Sequence, residues 1–522
     1  MNIAKIFKNA TPQRKPLMGA GQVPNSAGGN AWAIDVWKQL DRFLIMGSEG
    51  GTYYVSPRQL TLENCDAVIR ALKEDGLRVV QRITEVSVQG RAPKNDPAIF
   101  ALALASAHGD EATRKAALTA LPKVARTGTH LFQFMESVDG LRGWGRGLRR
   151  AVGDWYLQLD AKELGYQLLK YGQRGGWSHR DALRLAHPKT ADAEKQELFK
   201  WVTQGEMPKA NTQVVAAEKL KRITSADEAA ILIREHRLPR EVVNTELLNE
   251  HIVWKALLGD MPLTALVRNL GNLTKIGVLS PKSAETQRVI EVLGNADRIR
   301  KARVHPMSLM LAMQTYASGQ GFKGNGHWKP VPAIVEALDR AFYLAFANVE
   351  PTRKRYYLGV DISGSMGWSL LAGTRVSARD AAAAMAMVTL RTEPKAEVWG
   401  FGHQMVDLKL NRDMNLNKVL KQMEGIPFGA TDCALPMIHA YSQGMEVDVF
   451  VVYTDSETWF GDIHPAQALR EYRRATGINA KLIVVGMTAN RFSIADPNDA
   501  GMLDVVGFDA SVPEVMAQFA LD

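Results

Sequence analysis

The sequence predicts two architectures in series: an array of stacked helix pairs over the first two-thirds, then an open α/β domain with a mainly parallel sheet. Three observations predict it. Short helical segments with recurring start and stop signals fill roughly residues 60 to 310. From Arg355 onward, apolar runs of buried-strand length alternate with helical patterns. The charge balance changes at the same place: residues 1–350 hold 48 Lys+Arg against 35 Asp+Glu, and residues 351–522 hold 16 against 20. A chain of 522 residues also exceeds what one core supports, so two or three domains are expected.

The elements follow in order. Residues 1–30 are polar and glycine-rich and read as a loosely ordered lead-in, with an arm over 1–15. GGTYYVS at 50–56 is strand-like. Helical patterns occupy 96–108, 130–138 and 227–238. Ser178 with Asp181, and Ser225 with Glu228, have capping-box spacing, while Pro188 and Pro239 mark stops. No solenoid period is detectable, yet many short helices with short connectors fit stacked helix pairs. The glycine-rich stretch 317–330 reads as the connector to the second part. There, strand-like runs at 356–363, 396–402, 447–455 and 480–487 alternate with helical patterns at 377–392 and 464–475.

Bulk properties exclude several classes. The 46% hydrophobic and 23% charged content is that of an ordinary globular protein. No apolar stretch approaches the roughly 18 residues of a membrane span, so no membrane partner is expected. The basic N-terminus lacks the apolar region of a secretory signal. Cys65 and Cys433 are far apart, which argues against a disulfide framework or thiolate zinc site. Together these point to a cytoplasmic protein.

The second part carries a candidate metal site. Asp361, Ser363 and Ser365 alternate on a loop directly after a strand, where open α/β folds place ligands. Carboxylate and hydroxyl oxygens suit a hard divalent cation, Mg²⁺ first among them. FGATDCA adds Thr431 in a second loop, and VVYTDSET adds Asp455 at another strand end. A lone D-x-S-x-S could be a helix-capping turn; three loops supplying oxygens favour the metal. GQGFKG at 319–324 lacks the strand–loop–helix context of a dinucleotide fingerprint and reads as linker. Neither a P-loop nor a nucleophile elbow is present, and no catalytic residues are assigned.

The first part carries a basic, aromatic-laced stretch over 121–190, with twelve Lys/Arg against six acids. Its candidate RNA-contacting residues are Lys123, Arg126, Arg142, Arg146, Arg149, Arg150, Lys170, Arg174, Arg180 and His187. Arginines grip phosphates bidentately and aromatics stack on unpaired bases. Arg142, Arg146, Arg149 and Arg150 recur at helical spacing and are expected on one face. Trp144, Trp155 and Trp177 read as core, and His187 either binds RNA or caps its helix.

The runs LPKVARTGTHLFQFM, WGRGLRRAVGDWY and GWSHRDALRLAHPK resemble the TROVE module of the Ro autoantigen family. The DISGSM loop and the closing GFDASVPEVMAQFA resemble that family's von Willebrand A half, and the resemblance spans roughly residues 15 to 522. The short lead-in and short loops resemble those of a bacterial or phage member. The resemblance implies a monomeric ring of HEAT-like helical repeats over 16–350, closed by a Rossmann-like von Willebrand A domain over 351–522 with a metal-ion-dependent adhesion site. It implies binding of Y-type RNA on the basic outer face, and of single-stranded ends of misfolded RNA in a central hole. It further implies a role in RNA quality control beside a 3′→5′ exoribonuclease such as polynucleotide phosphorylase. Lys170, Arg174 and His187 fall in motifs that contact Y RNA in the family.

Two rival readings remain. A metal-dependent protein-binding scaffold would capture an acidic partner at the metal loop, which explains the second part but not the basic first part. A metal-dependent nuclease or phosphatase needs a base or nucleophile, for which Asp432 and His403 are the candidates.

Overall fold

The computed structural model describes residues 10–47, 57–321, 326–346, 349–368 and 376–522. The strand-like run at 50–56 lies outside them, as do residues 1–9 of the arm and 322–325 of the connector.

Capping and apolar patterning build the helix array. Helix Asp96–His108 is apolar around its circumference and is sandwiched between neighbours. Ser178 and Asp181 close a reciprocal capping box on His179–Ala186, and the Ser225 hydroxyl accepts from the Glu228 amide. The array is layered. Pro57–Gln89, kinked at Asp75, packs on Glu111–Val124, which packs on Arg146–Gln158 and then His179–Ala186. Asp96–His108 packs on Gly128–Leu141 in the second layer. The glycine-rich stretch does not separate the two parts: Trp328 stacks on Tyr316, and helix Pro332–Leu344 returns to the array.

The α/β domain holds a six-stranded sheet in the order Met502–Val506, Lys481–Gly486, Val449–Thr454, Arg355–Asp361, Lys395–Phe401, Met405–Val406. The first five strands are parallel and the last is antiparallel. Buried helix Ala378–Thr392, capped by Ser377 and Asp380, covers the central strands.

The array closes into a ring on itself and on this domain. Arg91, just past the second helix, meets His305 from the far end of the array. The His305 Nε2–H points at the carbonyls of Arg91 (3.1 Å) and Phe508 (2.8 Å), so one ring nitrogen joins both ends and the α/β domain. Its Nδ1 accepts from the Met307 amide, which fixes the neutral tautomer. Arg91 pairs with Asp509, and the fully buried Arg42 pairs with Asp504 at 2.9 Å. Further round, Asp339 accepts from the Leu416 amide.

The expected loose lead-in is corrected over its described residues. From residue 10 on, the segment is a strap on the α/β domain. Gln13 is fully buried; its amide nitrogen donates to Asp432 (2.7 Å) and the Ile463 carbonyl (2.8 Å). Asn25 donates to the Thr458 carbonyl, and strand Asn30–Ala33 pairs with Phe492–Ser493. Low hydrophobicity concealed a segment held by buried amide hydrogen bonds together with the few apolar contacts of residues such as Leu17 and Trp32.

Candidate nucleic-acid interface and metal loop

The basic residues sort into three environments. Arg146, Arg149 and Arg150 lie exposed along helix Arg146–Gln158, whose other face buries Leu148, Val152, Trp155 and Tyr156. Arg142 does not share that helix. It caps the preceding one and donates to the Ser106 carbonyl, so the single-face expectation holds for three arginines and fails for Arg142. Lys123 is exposed at the end of its own helix.

The second environment is the hairpin Gln173–Arg174/Trp177–Ser178 and the helix after it. Arg174, Arg180 and His187 are exposed there. The hairpin is braced from below. His179 is buried, its Nδ1 2.8 Å from the Tyr156 hydroxyl, and burial lowers its pKa to about 4. A Cβ on Gly128 would come within 2.9 Å of that ring, so glycine is needed for the approach. Trp144 and Trp177 pack together at 5.4 Å, half-buried, whereas Trp155 is core. His187 ends its helix in the left-handed conformation, φ 44°, with its amide on the Leu183 carbonyl and its ring exposed. Lys170 differs from the rest: its side chain is 12% exposed, 3.9 Å from Glu241 and over the Tyr166 ring, and burial lowers its pKa.

The third environment is a cavity of about 990 Å³ where the two ends of the array meet. Lys94, Arg126, Arg268, Lys275 and Arg303 line it beside Phe43, Phe100, Tyr316 and Trp328, and Asp96 is its one acid among the described residues. Arg126 therefore belongs to this cavity rather than to the outer helices. Burial and the neighbouring Arg303 charge lower its pKa to about 10, and its Nε has no hydrogen-bond partner. Lys94, Arg268, Lys275 and Arg303 were missed from sequence because they are scattered over more than 200 positions. Only closure of the ring unites them.

In the α/β domain the five predicted metal-loop residues converge and are all at most 3% exposed. Asp361 ends its strand; Oδ1 accepts from the Ser363 amide (2.8 Å) and Oδ2 from the Thr454 hydroxyl (2.6 Å). The Ser363 and Ser365 hydroxyls are 3.1 Å apart. Asp455 Oδ1 accepts from the Glu457 amide, while its buried Oδ2 has no hydrogen-bond partner. Burial pushes both carboxyls up, and the Asp455 charge raises Asp361 further. Two buried carboxylates, one orphaned oxygen and no basic partner among the described residues form a donor set that fits a hard cation. Glu457, also buried and pushed up to about 8, was not foreseen. Asp432, one of the two candidates for a base or nucleophile, has its Oδ1 taken by Gln13 and the Ala434 amide, and burial raises it to about 6. His403 is exposed.

A helical ring with basic faces, closed by an α/β domain bearing a hydroxyl–carboxylate loop, defines a class of ring-shaped scaffold. Residues 23–238 and 234–318 match the TROVE domain, and residues 355–520 match the Ro60 vWA domain. The chain is 44% identical to RNA-binding protein RO60 of Deinococcus radiodurans, over 96% of this chain and 95% of that protein. It is 34% identical to RNA-binding protein RO60 of Caenorhabditis elegans, over 97% of this chain and 91% of that one. The solved Deinococcus radiodurans RO (RSR) structure superposes with a TM-score of 0.71 at 43% identity, covering 93% of this chain and 99% of that one. The chain belongs to the Ro60 family. These relatives are named as RNA-binding proteins, not enzymes.

Proposed function

We propose that this chain is a non-catalytic RNA-binding protein that holds a structured small RNA, of the Y type, on its outer basic face and a single-stranded RNA end in its cavity. The observation that carries this reading is the segregation of cations: exposed arginines on two adjacent outer helices, and five cations against one acid around an aromatic-walled cavity. Phosphates attract both surfaces, and neutralising them releases counterions, so affinity falls with salt. The apolar wall offers stacking to unpaired bases without reading their sequence. Preference for misfolded RNA then follows from the need for a free end, and hand-over to a 3′→5′ exoribonuclease is a natural use of that preference.

Asp361, Ser363, Ser365, Thr431 and Asp455 would hold a divalent ion, Mg²⁺ by oxygen hardness. The ion would neutralise the two buried carboxylates and present an open coordination position. An acidic protein ligand at that position is compatible with RNA on the ring. The test is fluorescence anisotropy with a labelled stem–loop, with and without a single-stranded 3′ tail. The tail should tighten binding, and Arg126→Ala/Arg303→Ala should remove only the increment due to the tail. Equal binding of the two probes would refute the cavity assignment.

A further inference from the structure

Two tryptophans join the two parts of the outer basic face. Trp144 belongs to the glycine-rich turn that enters helix Arg146–Gln158, and Trp177 lies on the short hairpin, directly opposite Arg174 in its register. Their ring centroids are 5.4 Å apart with the planes inclined at 49°. Both are half-buried, unlike the core residues Trp155 and Trp254, which are at most 2% exposed. The Trp144 indole N–H donates to Asp139 at 2.8 Å, which fixes the orientation of that ring. A paired indole surface is thus left partly open amid exposed arginines.

The backbone around the pair is bare. Gly140, Gly143, Gly172 and Gly176 have no atom within 4 Å of the place a Cβ would take, and Gly145 has only the Arg142 guanidinium at 3.9 Å. All five are exposed, and only Gly176, at φ 80°, lies in the left-handed region, so turn geometry requires glycine at one of them. Charge divides around the same spot. The exposed Arg146 follows Trp144 by two residues, and the exposed Arg174 stands across from Trp177. The exposed acids Glu136 and Asp139 come instead from helix Gly128–Leu141, which packs against the hairpin; a Cβ on Gly175 would meet the Glu136 carboxylate.

We infer that Trp144 and Trp177 form a stacking platform for one unpaired base in the stem of the RNA on the outer face. The inference rests on the RNA reading of that face. Away from its ends, a fully paired stem offers phosphates to the arginines but no base face to an indole. An unpaired base can leave the stem and lie on the tryptophans while its flanking phosphates stay with Arg146 and Arg174. The glycines leave room for the ribose and the flat base, which side chains at those positions would fill. Glu136 and Asp139 repel phosphate yet accept the N–H groups of a base edge, so the pocket distinguishes base from backbone.

The test uses the full chain and two blunt hairpin RNAs of one stem sequence, one fully paired and one with a single unpaired uridine in the stem, compared by fluorescence anisotropy. The unpaired uridine should tighten binding about fivefold or more, the contribution of one stacked base. Trp144→Leu and Trp177→Leu should each remove most of that difference, while Trp177→Tyr, which still stacks, should keep it. The separate gain from a single-stranded 3′ tail should be unchanged in all three, since it belongs to the cavity. With 5-iodouridine at the unpaired position, ultraviolet light should crosslink the wild-type chain at Trp144 or Trp177, a readout that needs no variant to fold. Equal affinity for the two hairpins, or crosslinks that miss both tryptophans, would overturn the inference and leave the outer-face reading standing. Failure of both hairpins to bind would refute that reading, and the inference with it.

Discussion

Replacing Arg146, Arg149 and Arg150 together by alanine should flatten the salt dependence of RNA binding. All three are exposed on one helix whose packed face they do not touch, so the fold should change by no more than about 0.5 kcal/mol per substitution. Each phosphate contact contributes roughly 0.7 to 0.9 to the slope of log K against log salt, so three contacts contribute roughly 2 to 3. Between about 50 and about 200 mM salt, the intact protein should lose roughly 20 to 40 times more affinity than the variant. Anisotropy titrations with a labelled stem–loop RNA across that range measure both slopes. Identical slopes, with the variant folded by circular dichroism, would refute the outer-face assignment.

Other perturbations separate surface from support. Arg174→Ala should flatten the slope by about one contact, whereas Lys170→Ala, a largely buried ion-paired residue, should lower affinity with little change of slope. Arg42→Ala leaves Asp504 buried and unpaired, and urea unfolding should register a loss of about 3–5 kcal/mol. The metal-loop carboxyls are raised on folding, so without metal they oppose stability as pH rises above the ordinary carboxyl range, and acid relieves this. Chelated wild type should therefore lose more melting temperature between pH 5 and pH 8, roughly the span above that range, than Asp361→Asn, and Mg²⁺ should restore it; parallel curves would contradict the assignment. Buried His305, lowered to about 4, acts oppositely: its neutral form stabilises the ring above pH of about 6.5, and that contribution is lost as pH falls toward 4. Hydrogen exchange at the Arg91–Phe508 seam should rise over that interval.

What the sequence made legible was local. Caps at Ser178 and Ser225, the helix over 378–392, the strands leading into Asp361 and Asp455, and the loops that carry Ser363, Thr431 and Asp455 all depend on residues close together in the chain. What it concealed depends on closure. Lys94, Arg126, Arg268, Lys275 and Arg303 become one cavity wall only when His305 meets Arg91. Gln13 gave no apolar signal, since its burial depends on hydrogen bonds to residues more than 400 positions away. Arg142 kept helical spacing with Arg146, but the break between their helices turns it onto the Ser106 carbonyl. Lys170 looked like a surface cation because nothing nearby in sequence announces Glu241.

The most direct test of RNA binding on these two surfaces is ultraviolet crosslinking of the purified full chain with its copurifying RNA, with crosslinked peptides mapped by mass spectrometry. The account predicts crosslinks concentrated in 142–187 and at cavity residues such as Tyr316 and Trp328. Absence of RNA, or crosslinks confined to residues 351–522, would contradict it.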